Sequence, residues 1–206
     1  MRRVIFVRHG ESQANREGRF AGRSDPPLTR LGRRQAVALA RRLAREQIDA
    51  AYASPLQRVQ QTAAIALAGR DVPFHTAAEL RELDFGDWDG LTGQQIRERW
   101  PEDFQRLADP DDGFRAPNGE SLVEGRERVL RFVESLRERH SDQQVCCLTS
   151  GSVLQLYLTH VLHMPLGKFW KLAVHNCSLT VVEFRRAGAV VVCANEAAHL
   201  ARLQRR

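Results

Sequence analysis

Four apolar residues near the N-terminus, Val4-Ile5-Phe6-Val7, run straight into Arg8-His9-Gly10-Glu11-Ser12. Three of the four are β-branched, and a short run of that kind bounded by a glycine reads as a buried strand. At the end of a central strand the chain has to leave the core. Arg8 and His9 would then project into a crevice, while Gly10 lets the backbone turn tightly. A cation and an imidazole at that place are candidates for chemistry, although on these residues alone a polar rim at a strand end would serve as well.

The chain has 206 residues, enough for one sizeable core with a modest insertion and too few for two independent ones. We therefore expect a single domain over 1–206. Only four apolar residues separate the basic start Met1-Arg2-Arg3 from Arg8, too few for a signal-peptide core or a membrane span. The expectation is a cytoplasmic protein with no membrane partner. Cys146 and Cys147 are adjacent, Cys177 and Cys193 stand apart, and neither a CxxC nor a Cys/His ligand spacing occurs. They read as reduced, mostly buried thiols, with no metal and no cofactor expected. The net charge of +6 raises the question of nucleic acid. The arginines are spread over many predicted helices, usually beside acidic residues, with no interleaved aromatics. The arginine excess reads as a compositional habit, and a mildly anionic substrate fits it as well.

Along the chain, Ser12 to Pro27 is polar and glycine-punctuated and reads as a surface loop. Thr29 can cap a helix running to about Glu46, with Leu31, Ala36, Leu39, Ala40 and Leu43 at helical spacing. Ile48 to Ala53 is a second strand. Ser54 then reads as the N-cap of a helix with Pro55 in its first position, which places Arg58 in the first turn, where a helix already favours an anion. A short strand over Val72–Thr76 leads to Leu80-Arg81-Glu82-Leu83-Asp84-Phe85-Gly86-Asp87-Trp88-Asp89-Gly90, in which Asp84, Asp87 and Asp89 read as solvated turn residues. Two short helices, Thr92–Trp100 and Pro101–Ala108, and the loop Asp109-Pro110-Asp111-Asp112-Gly113 suggest a small helical cap inserted at about 91–118. Trp100, Phe104 and Leu107 have the spacing of residues that pack such a cap. Ser121 and Glu124 form a capping box before a helix to His140. Val145–Thr149 is another buried strand, Ser150-Gly151-Ser152 opens a helix to about Leu162, and Ser178–Phe184 with Ala189–Ala194 reads as a hairpin.

Several of these stretches together resemble the histidine phosphatase superfamily, the phosphoglycerate-mutase-like enzymes. Arg8-His9-Gly10-Glu11 is similar to its nucleophile motif, Pro27-Leu28-Thr29 to its "P-L-T" element, and Ser54-Pro55-Leu56-Gln57-Arg58-Val59-Gln60-Gln61-Thr62 to its "S-P-L-x-R-x-x-x-T" signature. Leu80 to Gly90 matches "L-x-E-x-x-x-G-x-W-x-G", Pro117-Asn118-Gly119-Glu120-Ser121 resembles "P-G-G-E-S", and Asn195 to Leu200 resembles the closing "N-x-x-x-H-L", in which His199 reads as structural. The resemblance covers nearly the whole chain. It implies a three-layer α/β/α sandwich with a mostly parallel central sheet. It also implies His9 as the residue that is phosphorylated, Arg8 and Arg58 as phosphate ligands, and Glu82 as proton donor. Gly10, Asn15, Gly22, Ser150 and Gly151 would line the phosphate pocket.

One position departs from the pattern. Family members usually carry a second histidine immediately before the glycine held here by Gly151, and this chain has Ser150. Losing a donor at a place where charge develops costs roughly a hundred- to a thousandfold in rate. Three explanations stand open. In the first, Ser150 and the amides of the following helix form a sufficient cradle; in the second, His175 or an arginine of the early loop replaces the imidazole; in the third, the protein binds phosphorylated ligands with little turnover. The reading we expect is a metal-independent phosphatase acting on a small phosphorylated metabolite through a phosphohistidine. A phosphoglycerate-type mutase and a catalytically weak phospho-ligand binding protein are the alternatives. The short cap favours hydrolysis, and Phe85-Gly86-Asp87-Trp88 is reminiscent of the alpha-ribazole phosphatases within the family. A homodimer is compatible with the sequence and is not specified by it.

Overall fold

The computed structural model describes residues 1–108 and 110–203, so that Asp109 of the predicted cap loop and 204–206 lie outside the described residues. The apolar start is a strand, β1 (Arg3–Arg8). It is followed by a one-turn helix, α1 (Gln13–Glu17), and by α2 (Arg30–Leu43), β2 (Ala50–Ala53), α3 (Gln57–Ala66) and β3 (Phe74–Thr76). The short helices α4 (Gly93–Arg99) and α5 (Pro101–Arg106) precede the long α6 (Leu122–Arg139). The chain closes with β4 (Gln144–Thr149), α7 (Gly151–Val161) and the hairpin β5 (Leu179–Arg185) and β6 (Gly188–Glu196).

The six strands form one sheet in the order β3-β2-β4-β1-β5-β6. β3, β2, β4 and β1 run parallel, and β5 and β6 are antiparallel, so the sheet is mostly parallel as expected. Alternation along β1 divides the core, because successive side chains of a strand point to opposite faces. Val4 and Phe6 pack with Tyr52, Val145, Cys147 and the buried stripes of α6 and α7. Ile5 and Val7 pack with Ala51, Ala53, Cys146, Leu148 and the stripes of α2 and α3. The result is helices, sheet and helices in three layers. The C-terminal ends of β1, β2 and β4 point the same way, and each leads to residues singled out from the sequence.

Two expectations about local structure change. Ser12–Pro27 is not all loop: Ser12 and Asn15 form a capping box for α1, with Gly18 ending it in the left-handed conformation. α3 begins at Gln57 rather than Pro55, and Ser54 is not its cap. The Ser54 hydroxyl takes only a long bond from Leu56 N–H (3.4 Å), whereas Asp25, distant in sequence, accepts Gln57 N–H at 2.6 Å. Elsewhere Thr29 caps α2 and the Ser121–Glu124 capping box opens α6, as the spacing predicts. Trp100, Phe104 and Leu107 pack against a third cluster built on Leu83, Trp88, Ile96, Phe114 and Phe169, the packing role their spacing indicates. Asn118, at the place where the resembling pattern has a glycine, adopts φ +58°, a conformation that Asn tolerates better than other side chains.

Candidate active site

The site is built outward from the end of β1. Ladder contacts continue one residue past the strand, since His9 N–H donates to Thr149 O at 3.0 Å. The His9 carbonyl accepts Cys177 N–H (3.2 Å) and Asn176 Nδ2 (3.1 Å). Gly10 N–H goes to Thr62 Oγ1 (3.0 Å), and Thr62 Oγ1 donates in turn to Arg58 O (2.7 Å). The fixed threonine of the α3 signature therefore couples the two catalytic candidates. Glu11 N–H donates to Gln35 Oε1 at 2.8 Å, which ties the same turn to α2. The backbone on both sides of His9 has a partner, so the imidazole is carried on a rigid mount.

His9 is 3 % exposed, and its Nδ1 lies 2.7 Å from Gly10 O. A carbonyl only accepts, so Nδ1 carries the proton and Nε2 keeps the lone pair. Burial, and then the neighbouring Arg58 and Arg8, hold the imidazole well below its ordinary pKa, with the bond to Gly10 O opposing them. The ring is neutral, in one tautomer, beside two cations.

Arg8 donates to Val174 O at 2.5 Å, while its buried Nε has no protein partner among the described residues. It lies over the start of α7: a Cβ on Gly151 would stand 3.4 Å from both Arg8 Cζ and Nε. Arg58 is 1 % exposed and gives one N–H to Ser24 O (3.0 Å) and another to Ala21 O (2.8 Å). Burial lowers the pKa of both guanidiniums, and the nearby Glu82 opposes that in each. An arginine stays protonated at any working pH. Two desolvated cations make a site prepared for negative charge.

Glu82 is 8 % exposed, and its Oε1 accepts Leu83 N–H at 2.9 Å. Its segment is pinned from three sides. Thr149 Oγ1 donates to Leu80 O (2.8 Å), Arg23 to Glu82 O (2.9 Å) and Arg128 to Arg81 O (3.0 Å). Arg128 is in turn held by both oxygens of Glu120, at 2.7 and 2.6 Å, so Glu120 helps fix this segment.

Ser150 is fully buried, does not cap α7, and its Oγ has no protein partner among the described residues. A hydroxyl and the uncapped first turn of an eleven-residue helix stand where the second histidine of the resembling pattern would be. The other replacements considered are committed elsewhere. His175 is exposed and its Nδ1 accepts from Asn195 Nδ2 at 3.1 Å; Arg19 is bound to Gly90 O and Glu17; Arg23 is bound to Glu82 O and Asp84.

Of the remaining pocket candidates, Asn15 Oδ1 accepts from Ser12 N–H and from Asn176 Nδ2, both at 3.1 Å, which places Asn15 beside the His9 mount. The N–H of Gly10 is taken by Thr62 and that of Gly22 by Asp89 (2.9 Å), so neither amide is free for a substrate. Gly22 is required by close approach instead, since a Cβ there would lie 2.3 Å from Leu83 O. Sequence reasoning did not single out Asp89, Asn176 or Gln35 for the site. Asp89, between Trp88 and Gly90, stands at an unfixed position of its motif and was read as a solvated turn residue. Cys177 is buried with its thiol pushed up to about 12, mainly by burial, so it packs beside Arg8 as a neutral group.

No group of three or more His, Cys, Asp or Glu among the described residues has the arrangement of a metal site, and no helix among them is long and apolar enough to cross a membrane. A surface cavity of about 630 Å³, lined by Tyr52, His75, Arg128 and Arg139 among others, contains none of the four candidate catalytic side chains.

Known proteins resemble this chain over nearly its whole length. The chain is 33% identical to phosphoserine phosphatase 1 of Hydrogenobacter thermophilus over 200 residues, covering 97% of this chain and 95% of that one. It is 30% identical to the adenosylcobalamin/alpha-ribazole phosphatase of Salmonella typhimurium, covering 95% and 97%. Its fold superposes on Bacillus stearothermophilus YhfR with a TM-score of 0.91 at 32% identity, over 96% of this chain and 98% of that one. The family model for the histidine phosphatase superfamily (branch 1) matches residues 4–197, and the chain belongs to that superfamily.

Proposed function

We propose that this phosphatase hydrolyses small phosphate monoesters through a phosphohistidine on His9, without a metal ion. The observation that supports this most directly is the Nδ1–H bond to Gly10 O, which leaves Nε2 of a neutral imidazole as the nucleophile beside two arginines. Nε2 attacks phosphorus in line, forming the N–P bond as the P–O bond to the leaving group breaks. Arg8, Arg58, the Ser150 hydroxyl and the first amides of α7 hold the equatorial oxygens. Glu82 gives its proton to the departing alkoxide. The resulting carboxylate then takes a proton from the water that attacks the phosphohistidine, which releases phosphate and restores His9. Segment 91–118 serves as a cap over this crevice.

Ser150 favours one second reading, a phospho-ligand binding protein with little turnover. Phosphate release from an aryl phosphate and from a panel of monoesters that includes phosphoserine and alpha-ribazole phosphate, with chelator present, separates the two. The proposed reading expects turnover insensitive to chelator in the wild type, an acid-labile phosphoryl adduct, and loss of both in His9→Ala. Tight binding of phosphate esters with no His9-dependent release, together with a gain of activity in Ser150→His, would establish the second reading.

A further inference from the structure

A set of hydrogen bonds outside the four reacting side chains converges on Asp89. Oδ1 accepts Gly22 N–H (2.9 Å) and the Ser24 hydroxyl (2.7 Å), and Oδ2 accepts Arg23 N–H (3.0 Å) and Ser24 N–H (2.6 Å). Three successive amides directed at one point form the concavity that backbones elsewhere offer to bound anions. Here the anion is a side chain of the chain itself. Burial disfavours its charge, but the bonds from Ser24, Gly22 and Arg23 outweigh that and keep the carboxyl below its ordinary pKa.

The carbonyls of the same segment turn toward Arg58. Ala21 O and Ser24 O, on either side of the three amides, accept its two bonds, while the nearest carboxylate, Asp25, stands 3.8 Å away. The aim of this guanidinium is therefore set by two carbonyls, and the aim of those carbonyls by the carboxylate gathering the amides between them. The segment also presses on the proton-donor side of the site, through the tight approach of Gly22 to Leu83 O and the bond from Arg23 to Glu82 O.

We propose that Asp89 is a positioning residue for phosphoryl transfer: by shaping the 21–25 segment it orients Arg58. The inference rests on the reading of Arg58 as a phosphoryl ligand, and the test separates the two. Full-length protein carrying Asp89→Ala, Asp89→Asn, Arg58→Ala, or Asp89→Ala with Arg58→Ala is assayed with an aryl phosphate, and melting temperatures are recorded alongside. Asp87→Ala, in the same turn but exposed and with its carboxylate bonded to Asn118 Nδ2, is the control. Misplacing a group by about an ångström costs up to roughly a hundredfold in rate. Asp89→Ala is accordingly expected to lower kcat about ten- to a hundredfold in the wild-type background and less than about threefold when Arg58 is already alanine. Asp89→Asn, which keeps one acceptor and the shape, falls between, and it carries the test if the alanine variant does not fold. Asp87→Ala stays at the wild-type rate.

If the Asp89 penalty is the same in both backgrounds, or if both Asp89 variants keep wild-type kcat while Arg58→Ala is impaired, Asp89 is structural and the proposal falls alone. An Arg58→Ala protein as active as the wild type overturns the reading of Arg58 and this inference with it.

Discussion

Which nitrogen of His9 carries the proton decides whether the residue is a nucleophile or a bystander, and the same contact has a thermodynamic signature. In the unfolded chain this imidazole takes up a proton near its ordinary pKa of about 6.5, whereas the native ring, desolvated between Arg8 and Arg58, resists protonation until lower pH. Below pH 6.5 the unfolded state therefore binds more protons than the native one, and stability falls as pH falls. One such group contributes a slope of at most about 1.4 kcal/mol per pH unit. His160, exposed at the end of α7, is shifted in the same direction, first by desolvation and then by Arg126 and His163, and adds to it. Urea midpoints at pH 7.5 and 5.5 are expected to differ clearly in the wild type and by less in His9→Asn; equal losses in the two proteins would place His9's pKa near its solution value. At this scale the proposed site residues Arg8, His9, Arg58 and Glu82 were legible beforehand through the motifs that resemble the family's. Asp89 was not, since a carboxylate in a turn looks the same whether it faces water or three amides brought from more than sixty residues away. Nor was the conformation of Cys177, whose φ of +56° serves two carbonyls at the end of β1 and leaves no trace in local sequence.

Among the elements, α3 shows what a periodic reading captures and what it misses. The helix and the position of Arg58 in its first turn follow from the pattern, but its cap comes from Asp25 on the segment after α1 rather than from Ser54. Local propensity names the nearest hydroxyl, whereas the fold supplies a better acceptor from elsewhere. Removing a capping side chain typically costs about 1 kcal/mol. Asp25→Ala is therefore expected to lower stability by about that amount and Ser54→Ala by less, as read from urea midpoints; the reverse order would restore Ser54 as the cap. α1 was hidden for another reason. Five residues are too few for helical periodicity to show, and its order comes from the Ser12–Asn15 capping box and from Asn176. Helix ends also shifted, α2 finishing at Leu43 rather than near Glu46, because the last turn is decided by packing and not by composition.

For the whole molecule, the order of strands was the part least legible in sequence. Alternating buried strands and helices imply a layered α/β fold, but that β4 inserts between β2 and β1 follows only from which faces fill one another. That insertion leaves β1 paired on both edges, with Val4 to Val7 fully buried, while β3 and β6 are the outer strands. Amide exchange is expected to be slowest across residues 4–8, at the free energy of global unfolding, and faster in β3 and β6. Exchange at comparable rates across all six strands would show that the sheet does not open from its edges. His9, the proposed nucleophile, is the residue immediately after this doubly paired strand. Fraying at the margins leaves its mount intact, and only complete unfolding dismantles it. A partly heat-inactivated sample is thus a mixture of molecules that work fully and molecules that do not work at all: Vmax declines in proportion to the native fraction while KM stays where it was, and residual activity becomes a head count.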